Sequence, residues 1–479
     1  MNEKIIENFL SLCAIPHKSH HEEKISAFLY DWACKKGLRA ERDAEGNVII
    51  DKPGTPGHEN APCTIMQAHM DMVVVWEDGM TFDPLNDHVT VINDGKTLTA
   101  KGTSLGGDDG AGVAIAMSIL EDPDAVHGPI RAIFTVDEED GMSGADGLDE
   151  KHLDAKYLIN LDWEEFGSLC NSSAGSDMYR MHRAAAWEEA SGKAYAVSVS
   201  GLVGGHSGSS IHLRLANAIR IAARTALAGL TECPDVRLAA FKGGSAHNAI
   251  PASCSAVITV PEKNAEKVLA ALKTRALTEM VACAATDPDA KVAVSEVELP
   301  AKVLTEEVTR SYLTLITEVF DGVHSMSKSI PTLVESSANT GLASVGEDEV
   351  EFTLHQRSSE PSITAEMKAE YLRQAEEAGF ELTQLSSSPA WPLKPGSELV
   401  SICERIYKEQ NGKAMSVEPV HAGLECGSFS SRNPNLDIIS IGPDILDIHS
   451  TRETLVLDTV YRCDDLVRAI LKEIAEKKA

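Results

Sequence analysis

The spacing of five short segments with histidine or carboxylate side chains is the feature that most constrains this chain. Four of these segments lie between residues 67 and 162, whereas the fifth lies at residues 448–450. Several follow apolar, β-branched runs such as residues 130–136, and α/β proteins place functional groups at the carboxyl ends of sheet strands. If all five serve one site, both ends of the chain belong to one domain and the residues between them are an insertion. The five segments are residues 67–71, 106–110, 136–140, 159–162 and 448–450.

The hydrophobic patterns of the first 185 residues predict strands that alternate with helices. Such alternation is typical of a mainly parallel or mixed sheet whose faces are covered by helices. The predicted helices are residues 3–14, 21–37 and 110–120, and the predicted strands are residues 47–51, 63–68, 130–136 and 157–161.

The pattern changes near residue 185, where the strand pattern of residues 194–200 and a long predicted helix at residues 211–230 begin a second region. A serine- and proline-rich linker at residues 386–392 ends it, and the last part returns to the α/β style. We therefore predict an α/β fold in which a mixed-sheet domain is interrupted by an inserted α+β domain. The predicted limits are residues 1–185 and 391–479 for the two parts of the first domain and residues 186–390 for the insertion.

Composition narrows the classes of function. A formal net charge of −30 argues against binding to nucleic acids and to anionic membranes, because phosphate groups require a cationic face. No stretch approaches the ~20 apolar residues needed to cross a bilayer, and residues 1–4 lack the basic-then-apolar pattern of a signal peptide. The ten cysteines are scattered without a Cys-x-x-Cys pair, which is typical of buried thiols in a reducing compartment. The prediction is a cytoplasmic protein.

The side chains in the five segments match the needs of a two-metal hydrolytic site. Such a site uses about four or five ligands, one of them a carboxylate that bridges both ions, and it acidifies a shared water while polarising a carbonyl. Imidazole and carboxylate ligands without thiolates suit zinc, with cobalt and manganese as alternatives. The predicted ligands of two divalent metal ions are His69, Asp108, Glu139, Asp162 and His449.

Two further acids fit supporting roles in the same site. Asp71 lies two residues after His69, where it can accept the second imidazole N–H and orient the ring. Glu138 precedes Glu139, so one acid can bind metal while its neighbour acts as general base. The glycines around Asp108 allow a sharp turn into a helix, which would let its carboxylate reach two ions.

Each of these residues also has a purely structural interpretation. His69 alone is typical of a hydrogen-bonded core histidine, and residues 137–140 alone are typical of a solvated acidic turn. Asp108 and Asp162 could cap helices. The occurrence of all the segments together, in this order at predicted strand ends, favours the metal site.

With these motifs, the chain resembles the M20 family of metallopeptidases, and within it the aminoacyl-histidine dipeptidase branch. The similarity extends from residues 14–16 to residues 449–450. It implies a catalytic domain with an inserted lid and dimerisation domain, a homodimer, and two zinc ions per subunit. One metal would be held by His69 and Asp162, the other by Glu139 and His449. Asp108 would bridge them, often through a following cis peptide, with Asp71 orienting His69 and Glu138 acting as general base and then acid.

The same resemblance assigns roles to three residues of the predicted insertion. His206, in the glycine-rich segment 204–208, would reach the active site of a partner subunit and stabilise the developing oxyanion. Asn248 and Arg357 would grip the polar end of the substrate, since a guanidinium binds a terminal carboxylate bidentately. Without the resemblance, the segment 204–208 is an ordinary turn. Five other histidines are expected to face solvent or to cap helices, namely His20, His21, His152, His212 and His247.

The resulting prediction is a cytosolic metallodipeptidase that cleaves short peptides, with histidine in the second position. One alternative is an M20 amidohydrolase that removes an acyl group from amino-acid conjugates. Another is a non-catalytic metal-binding or peptide-binding protein, although such a protein has no need of a carboxylate at Glu138. A nucleic-acid enzyme is disfavoured by the charge of −30 and the absence of a basic stripe.

Overall fold

The computed structural model describes residues 2–328 and 330–477 of the chain. These residues form two compact units. The first consists of described residues within Met1–Ser173, Trp391–Pro419 and Leu424–Ala479, and the second of those within Ala174–Ala390 and Val420–Gly423. The domain limits expected at residues 185 and 390 stay a prediction.

The first stretch of chain alternates strands with helices, as its hydrophobic pattern predicts. The helix α3 differs from the others because nearly all its residues are buried, which explains why its sequence is apolar on every face. The elements are α1 (Asn2–Cys13), α2 (Glu23–Lys35), β1 (Arg39–Arg42), β2 (Val48–Lys52), β3 (Thr64–His69), β4 (Val91–Asn93), β5 (Thr97–Ala100), α3 (Gly107–Glu121), β6 (Ile130–Thr135), α4 (Ser143–Gly147), β7 (Tyr157–Asn160) and β8 (Ser168–Leu169).

The middle of the chain consists of longer strands and four helices within its described residues. The last of these helices shows typical boundary chemistry, since it begins at Pro361 and ends before Gly379, whose φ of 70° closes the helix. The elements are β9 (Gly175–Ala184), β10 (Trp187–Glu189), β11 (Lys193–Ser200), β12 (Gly205–His206), α5 (Ala218–Glu232), β13 (Arg237–Gly243), β14 (Ala249–Ile250), β15 (Cys254–Val260), α6 (Ala265–Cys283), β16 (Lys291–Val297), β17 (Lys302–Leu304), α7 (Glu306–Glu318), β18 (Gly322–Met326), β19 (Val334–Val345), β20 (Glu349–Ser358), α8 (Pro361–Ala378) and β21 (Glu381–Ser388).

The last part of the chain returns to the first unit. Ser397 begins its first helix, because its hydroxyl accepts a hydrogen bond from the Val400 N–H. The elements are α9 (Glu398–Asn411), β22 (Ser416–Val417), α10 (Cys426–Arg432), β23 (Asp437–Ser440), β24 (Ile445–Leu446), β25 (Thr454–Val456) and α11 (Leu457–Glu476).

The described part of the first unit is built around a six-stranded mixed sheet with the order β1-β2-β6-β3-β7-β23. Strands β6, β3, β7 and β23 are parallel, whereas β1 and β2 are antiparallel to their neighbours. Every residue of β3 and β7 is buried although successive side chains point to opposite faces, so both faces of the sheet are covered. The sequence prediction of a mixed sheet is confirmed.

The register of the four parallel strands brings their carboxyl ends to one level. His69 at the end of β3 pairs with Thr135 at the end of β6. Asn160 at the end of β7 pairs with Gln67 on one side and with Ser440 at the end of β23 on the other. The segments that follow these strands therefore leave the sheet from the same edge, which is the edge that carries functional groups in parallel sheets.

Nine strands form one antiparallel sheet within the described residues of the second unit, in the order β16-β11-β15-β13-β19-β20-β9-β21 with β18 paired to β19. Helices α5 to α8 supply much of the apolar cluster that packs with this sheet. This α+β unit completes the predicted fold class. It also includes residues 174–185, because β9 pairs with β20 and β21 in its sheet.

Two local predictions were wrong. The helix predicted at residues 211–230 begins only at Ala218, because the Asn217 side chain accepts hydrogen bonds from the backbone N–H groups of Ile219 and Arg220 and so caps it. The predicted linker 386–392 is in part a strand, since β21 extends to Ser388 and pairs with β9.

All ten cysteines lie in the described chain, and most of them are buried. None of the helices that the structure describes is both long and apolar enough to span a membrane.

Candidate active site

The first unit brings His69, Asp108 and Asp162 together at the carboxyl edge of the parallel strands. His69 Nε2 lies 3.0 Å from Asp108 Oδ1 and 3.5 Å from Asp162 Oδ1. One ligand atom from each of these residues lies within 4.8 Å of the others, a spacing that fits a metal ion. His69 ends β3 and Asp162 follows β7, so neighbouring parallel strands place both side chains.

A second group of the same kind contains Glu139, His449 and again Asp108. His449 Nε2 lies 2.9 Å from Glu139 Oε1 and 3.3 Å from Asp108 Oδ2. Asp108 thus presents its Oδ1 to His69 and its Oδ2 to His449. A carboxylate that offers one oxygen to each of two ligand groups has the geometry of a bridging ligand. The peptide bond from Asp108 to Asp109 is cis.

The charges of these groups fit divalent cations. Burial raises the pKa of Asp162 to about 7 and also raises the pKa of Glu139. Burial opposes a positive charge on His449, but hydrogen bonds to Asp108 and Glu139 raise its pKa to about 11. The buried carboxylates thus stabilise a positive charge at the position of the imidazole. Separately, a set of carboxylate and imidazole donors without thiolates is suited to zinc, cobalt or manganese.

Asp71 contacts both His69 and the turn that contains Glu138 and Glu139. His69 Nδ1 lies 3.1 Å from the backbone oxygen of Asp71 and 3.4 Å from its Oδ1. The Asp71 carboxylate also accepts hydrogen bonds from the backbone N–H groups of Glu138 and Glu139, at 3.0 and 3.3 Å, and from the Ser19 hydroxyl at 2.9 Å. Its backbone oxygen and its carboxylate therefore hold the His69 ring and the Glu138–Glu139 turn in one arrangement.

Glu138 lies beside the ligands without belonging to either group. Burial raises the pKa of its carboxyl group well above the usual value, and the negative charge of Asp162 adds to the effect. Its backbone N–H donates to the Asp71 carboxylate, so its carboxyl group is held next to the candidate metal ligands, where a general base would be needed.

Glu453 is a supporting residue that the sequence patterns did not reveal. Its carboxylate accepts hydrogen bonds from the backbone N–H groups of Leu105, Gly106, Gly107 and Asp108, at distances from 2.7 to 3.3 Å. It thereby holds the loop that presents the shared ligand. A lone acid four residues after His449 carries no signal of this role in the sequence.

His20 also has more contacts than a solvent-facing histidine. Its Nδ1 lies 3.0 Å from Asp137 Oδ1 and its Nε2 lies 2.9 Å from Asp140 Oδ2, so the ring joins both ends of the turn that contains Glu138 and Glu139. About half of the side chain is exposed, in agreement with the expectation that it faces solvent. His152, in contrast, is buried and departs from that expectation.

His206 lies in the second unit, where hydrogen bonds fix the orientation of its ring. Its Nδ1 accepts hydrogen bonds from the backbone N–H groups of Gly208 and Ser209, at 3.3 and 3.1 Å. Burial and then the positive charge of Arg357 lower the pKa of His206 to about 4, so the ring is neutral at pH 7. Because Nδ1 is an acceptor, the proton of the neutral ring lies on Nε2, which is left as a hydrogen-bond donor.

Asn248 and Arg357 lie close to His206 in the same unit. The Asn248 backbone oxygen accepts the Ser207 N–H at 2.7 Å, next to the pairing of β12 with β14. A Cβ atom built on Gly208 would lie 3.0 Å from His206 Cε1 and 3.2 Å from Arg357 Nε, so both side chains border the same narrow space.

Arg357 is a buried cation without a carboxylate partner among the described residues. Its Nε has no hydrogen-bond partner there, and burial lowers its pKa to about 10. His355 and His421 add positive charge only when protonated, and burial followed by Arg357 lowers their pKa values to about 2 and about 3. A buried guanidinium among neutral imidazoles favours an anionic ligand.

The structure therefore brings the sequence-predicted residues together in two groups. The first unit contains the five predicted ligands with Asp71 and Glu138, and the second contains His206, Asn248 and Arg357.

Comparison with known proteins gives consistent matches along nearly the whole chain. The family model described as peptidase family M20/M25/M40 matches residues 65–473. The protein named cytosol non-specific dipeptidase of Escherichia coli (strain K12) is 32% identical over 471 residues, which are 98% of this chain and 97% of that protein.

Solved structures give the same picture. The crystal structure of aminoacylhistidine dipeptidase from Vibrio alginolyticus superposes with a TM-score of 0.88 at 33% identity and covers 99% of this chain and 97% of its own. A tripeptidase from Staphylococcus aureus superposes with a TM-score of 0.58 at 17% identity, covers 100% of this chain and 99% of its own, and shows a shared fold alone.

Proposed function

Because the chain belongs to peptidase family M20/M25/M40, we propose that it is a two-metal dipeptidase that cleaves peptides with histidine in the second position. The two relatives that match almost all of the chain at 32% and 33% identity are named dipeptidases, which makes the chain a hydrolase of the metallodipeptidase type. The observation that carries the two-metal proposal is Asp108, whose two carboxylate oxygens face separate groups of candidate ligands.

His69 and Asp162 would hold one metal ion, Glu139 and His449 would hold the other, and Asp108 would contact both. Zinc is the proposed metal, with cobalt and manganese as alternatives, because the donors are imidazoles and carboxylates. When bound, such a pair of ions polarises a carbonyl oxygen and lowers the pKa of water.

Residues of the chain perform the proton transfers of the proposed reaction. Glu138 accepts a proton from the attacking water and then donates it to the amine of the leaving residue. Asp71 keeps Glu138 in place through the backbone N–H and keeps the His69 ring oriented. His206 of the partner subunit donates its Nε2–H to the oxyanion of the tetrahedral intermediate, a role that requires the neutral ring with Nδ1 already engaged.

Arg357 and Asn248 would bind the carboxylate at the C-terminal end of the dipeptide. Support comes from the buried, unpaired Arg357 Nε, which an incoming carboxylate would satisfy. Histidine in the second position is proposed from the name of the Vibrio alginolyticus relative, whereas the Escherichia coli relative is named non-specific. Substrate preference therefore needs a direct measurement.

The proposal extends to assembly and location. We propose a homodimer formed through the inserted domain, which would also act as a lid that excludes water from the active site. A cytoplasmic location is proposed from the name of the Escherichia coli relative.

The same geometry also supports a second candidate function. An N-acyl amino acid presents one free carboxylate and one amide bond, so Arg357 and the metal centre would receive it as they would receive a dipeptide. A deacylase of amino-acid conjugates therefore remains the alternative substrate class. A protein that only binds metal or peptides would not need Glu138 in its position beside the ligands.

A substrate panel after metal removal tests the proposal. The protein is stripped with a chelator, reconstituted with zinc, cobalt or manganese, and assayed on β-alanyl-histidine, other Xaa-His dipeptides, dipeptides without histidine and N-acyl amino acids. We expect metal-dependent cleavage that is fastest for Xaa-His peptides. In the Glu138→Gln variant we expect metal binding to persist and turnover to fall at least ~100-fold, the scale of general-base catalysis.

Each other outcome of the panel contradicts a named part of the proposal. Cleavage of acylated amino acids alone would favour the deacylase. Equal rates on all dipeptides would reject the preference for histidine, and full activity of Glu138→Gln would reject the general base. If the protein binds two metal ions but cleaves none of the substrates, the result would favour a protein that only binds metal or peptides.

A further inference from the structure

A buried network of polar side chains joins the parallel strands of the first unit at the edge from which the candidate ligands leave. Gln67 Nε2 donates to Glu425 Oε2 at 2.6 Å, and the Thr135 hydroxyl donates to the same oxygen at 2.8 Å. Asn160 Nδ2 donates to Gln67 Oε1 at 2.6 Å, and the Ser440 hydroxyl donates to Asn160 Oδ1. One hydrogen-bonded chain therefore crosses β6, β3, β7 and β23.

Every side chain of this network is withdrawn from solvent. Gln67, Thr135, Asn160, Ser440 and Glu425 each have a relative exposure of 0%. A buried polar network is costly when its members are unpaired and rigid when they are paired, so its geometry is strongly determined. Glu425 is the member with a carboxyl group, and its Oε2 receives two donors from two different strands.

The members of the network lie immediately before the candidate ligands in the sequence. Gln67 precedes His69 by two residues, and Asn160 precedes Asp162 by two. Asn160 also contacts the ligand's own backbone, since its Oδ1 lies 3.4 Å from the Asp162 N–H. A shift of β3 against β7 at these residues would therefore displace His69 relative to Asp162 by the same distance.

Glu425 is the point at which the network leaves the sheet. It lies directly before α10, so it fastens the ends of β3 and β6 to a helix outside the strands that carry the ligands. Its other oxygen, Oε1, has no hydrogen-bond partner among the described residues, although it is buried. Burial of the Glu425 carboxyl group is costly, and an apolar side chain would pack here without that cost. We infer that the carboxyl group serves to align β3 and β6 and not only to fill space.

We propose that Glu425 is a positioning residue of the metal centre, which sets the relative alignment of the strands that present His69, Asp162 and Glu139 through its hydrogen bonds to Gln67 and Thr135. This inference rests on the proposed function, because it assigns the residue a task in the metal site proposed above. It does not place Glu425 in contact with substrate or with metal.

The test compares metal binding and turnover in two variants of the full-length protein. Glu425→Met removes the acceptor at similar volume, whereas Glu425→Gln keeps an oxygen for both donors. The chelator-stripped proteins are titrated with Co²⁺, whose visible absorption depends on coordination geometry, and the zinc enzymes are assayed with the best dipeptide. Outer partners of metal ligands typically contribute 10- to 100-fold to metal affinity or activity.

For Glu425→Met we expect a changed cobalt spectrum, roughly 10- to 100-fold weaker metal binding or lower kcat, and a nearly unchanged KM. Glu425→Gln should restore the wild-type spectrum and most of kcat. The matched control is Asp437→Asn, which alters another buried carboxylate of the same unit, bonded to Ser397 and to the N–H groups of Glu398 and Leu399 at the opposite end of β23. It should lower thermal stability but leave the cobalt spectrum unchanged.

A wild-type protein that binds no cobalt would overturn the proposed metal centre and this inference with it. A Glu425→Met protein with wild-type spectrum, affinity and kcat would overturn the positioning role alone. If Glu425→Met does not fold, Thr135→Val decides the question, since it removes one of the two donors to Glu425. A changed cobalt spectrum in that variant supports the role, and an unchanged spectrum rejects it.

Discussion

At the scale of single residues, Glu453 shows how one side chain can hold the loop that presents a candidate metal ligand. Four consecutive backbone N–H groups converge on its carboxylate, and these groups belong to the start of α3 and the residues before it. The first N–H groups of a helix have no partners within the helix, and an anion at that end is stabilised by the helix dipole. Glu453, from a distant part of the sequence, therefore supplies the hydrogen-bond acceptor for the backbone N–H groups of the loop that ends in Asp108.

We predict that Glu453→Gln destabilises the first unit and impairs the site that depends on its loop. An amide has one oxygen to offer to four donors and no charge, so we expect a loss of about 2–3 kcal/mol in the free energy of unfolding. Urea denaturation measures this loss. The control is Asp465→Asn, an exposed acid on α11, which should stay within about 0.5 kcal/mol of wild type. Equal stability of the Glu453 variant and the control would contradict the role.

At the scale of elements, the packing of α5 against α6 contains one buried carboxylate between two arginines. Glu279 of α6 accepts hydrogen bonds from Arg224 of α5 at 2.8 and 2.7 Å, and from Arg275 Nε at 2.7 Å. Burial raises the pKa of Glu279, but Arg224 and Arg275 outweigh it and lower the pKa below the ordinary value of 4.5. The ion pair thus links the two helices across an otherwise apolar contact.

The pH dependence of this contact follows from the sign of the shift. Because the pKa is lower in the folded protein, the contribution of Glu279 is complete above pH 4.5 and is lost as the pH falls through the folded pKa. We predict that Glu279→Gln costs about 3 kcal/mol at pH 7. The difference in Tm between wild type and variant should shrink as the pH is lowered below 4.5. Glu266→Gln, on the exposed side of α6, is the control, and a pH-independent difference would contradict the assignment.

The sequence could predict those elements in which the spacing of hydrophobic residues clearly distinguishes a strand from a helix. The strand predicted at residues 194–200 matches β11 (Lys193–Ser200) to within one residue, because most of its side chains alternate between buried and more exposed positions. The start of α5 was missed because apolar residues continue from residue 211 through the preceding loop, where Arg214 adopts a φ of 56°. The cap at Asn217 is a signal that could have placed the boundary, since asparagine favours that position.

At the scale of the whole molecule, the proposed sharing of His206 between subunits gives a quantitative prediction. Mixed refolding of His206→Ala chains with Glu138→Gln chains produces hybrid dimers in which one site combines intact Glu138 with His206 of the partner subunit. With random pairing, half of the dimers are hybrids and half of their sites are intact, so we expect about a quarter of wild-type activity. Each variant alone should be nearly inactive.

The control for this experiment mixes Glu138→Gln chains with chains that carry both substitutions. No dimer in that mixture contains a site with both intact residues, so its activity should stay at the level of the single variants. Stable hybrids without any gain in activity would reject the exchange of His206 across the dimer.

Sequence also revealed much of the candidate site, because His69, Glu139 and Asp162 lie at or shortly after strand ends, which can be recognised locally. The five predicted ligands do meet in the structure, although their binding of metal stays a prediction. Asp71 and Glu138 were recognised as supporting residues, but the other residues that hold the ligand segments were not assigned this role. Gln67 and Asn160 lie inside apolar strands, and Glu425 and Glu453 contact residues more than 250 positions away. Such long-range partners leave no periodic pattern in the sequence.

The return of the chain to its first unit has a consequence for protein synthesis. Four of the five candidate ligands have left the ribosome once residue 162 has emerged, but His449, Glu453 and β23 are translated only after the entire middle unit. A nascent chain therefore carries an incomplete and unbraced set of acids for most of its elongation, which at about 5–20 residues per second lasts many seconds. With His449 as a proposed metal ligand, we expect a ribosome-bound precursor that lacks this residue to cleave no peptides.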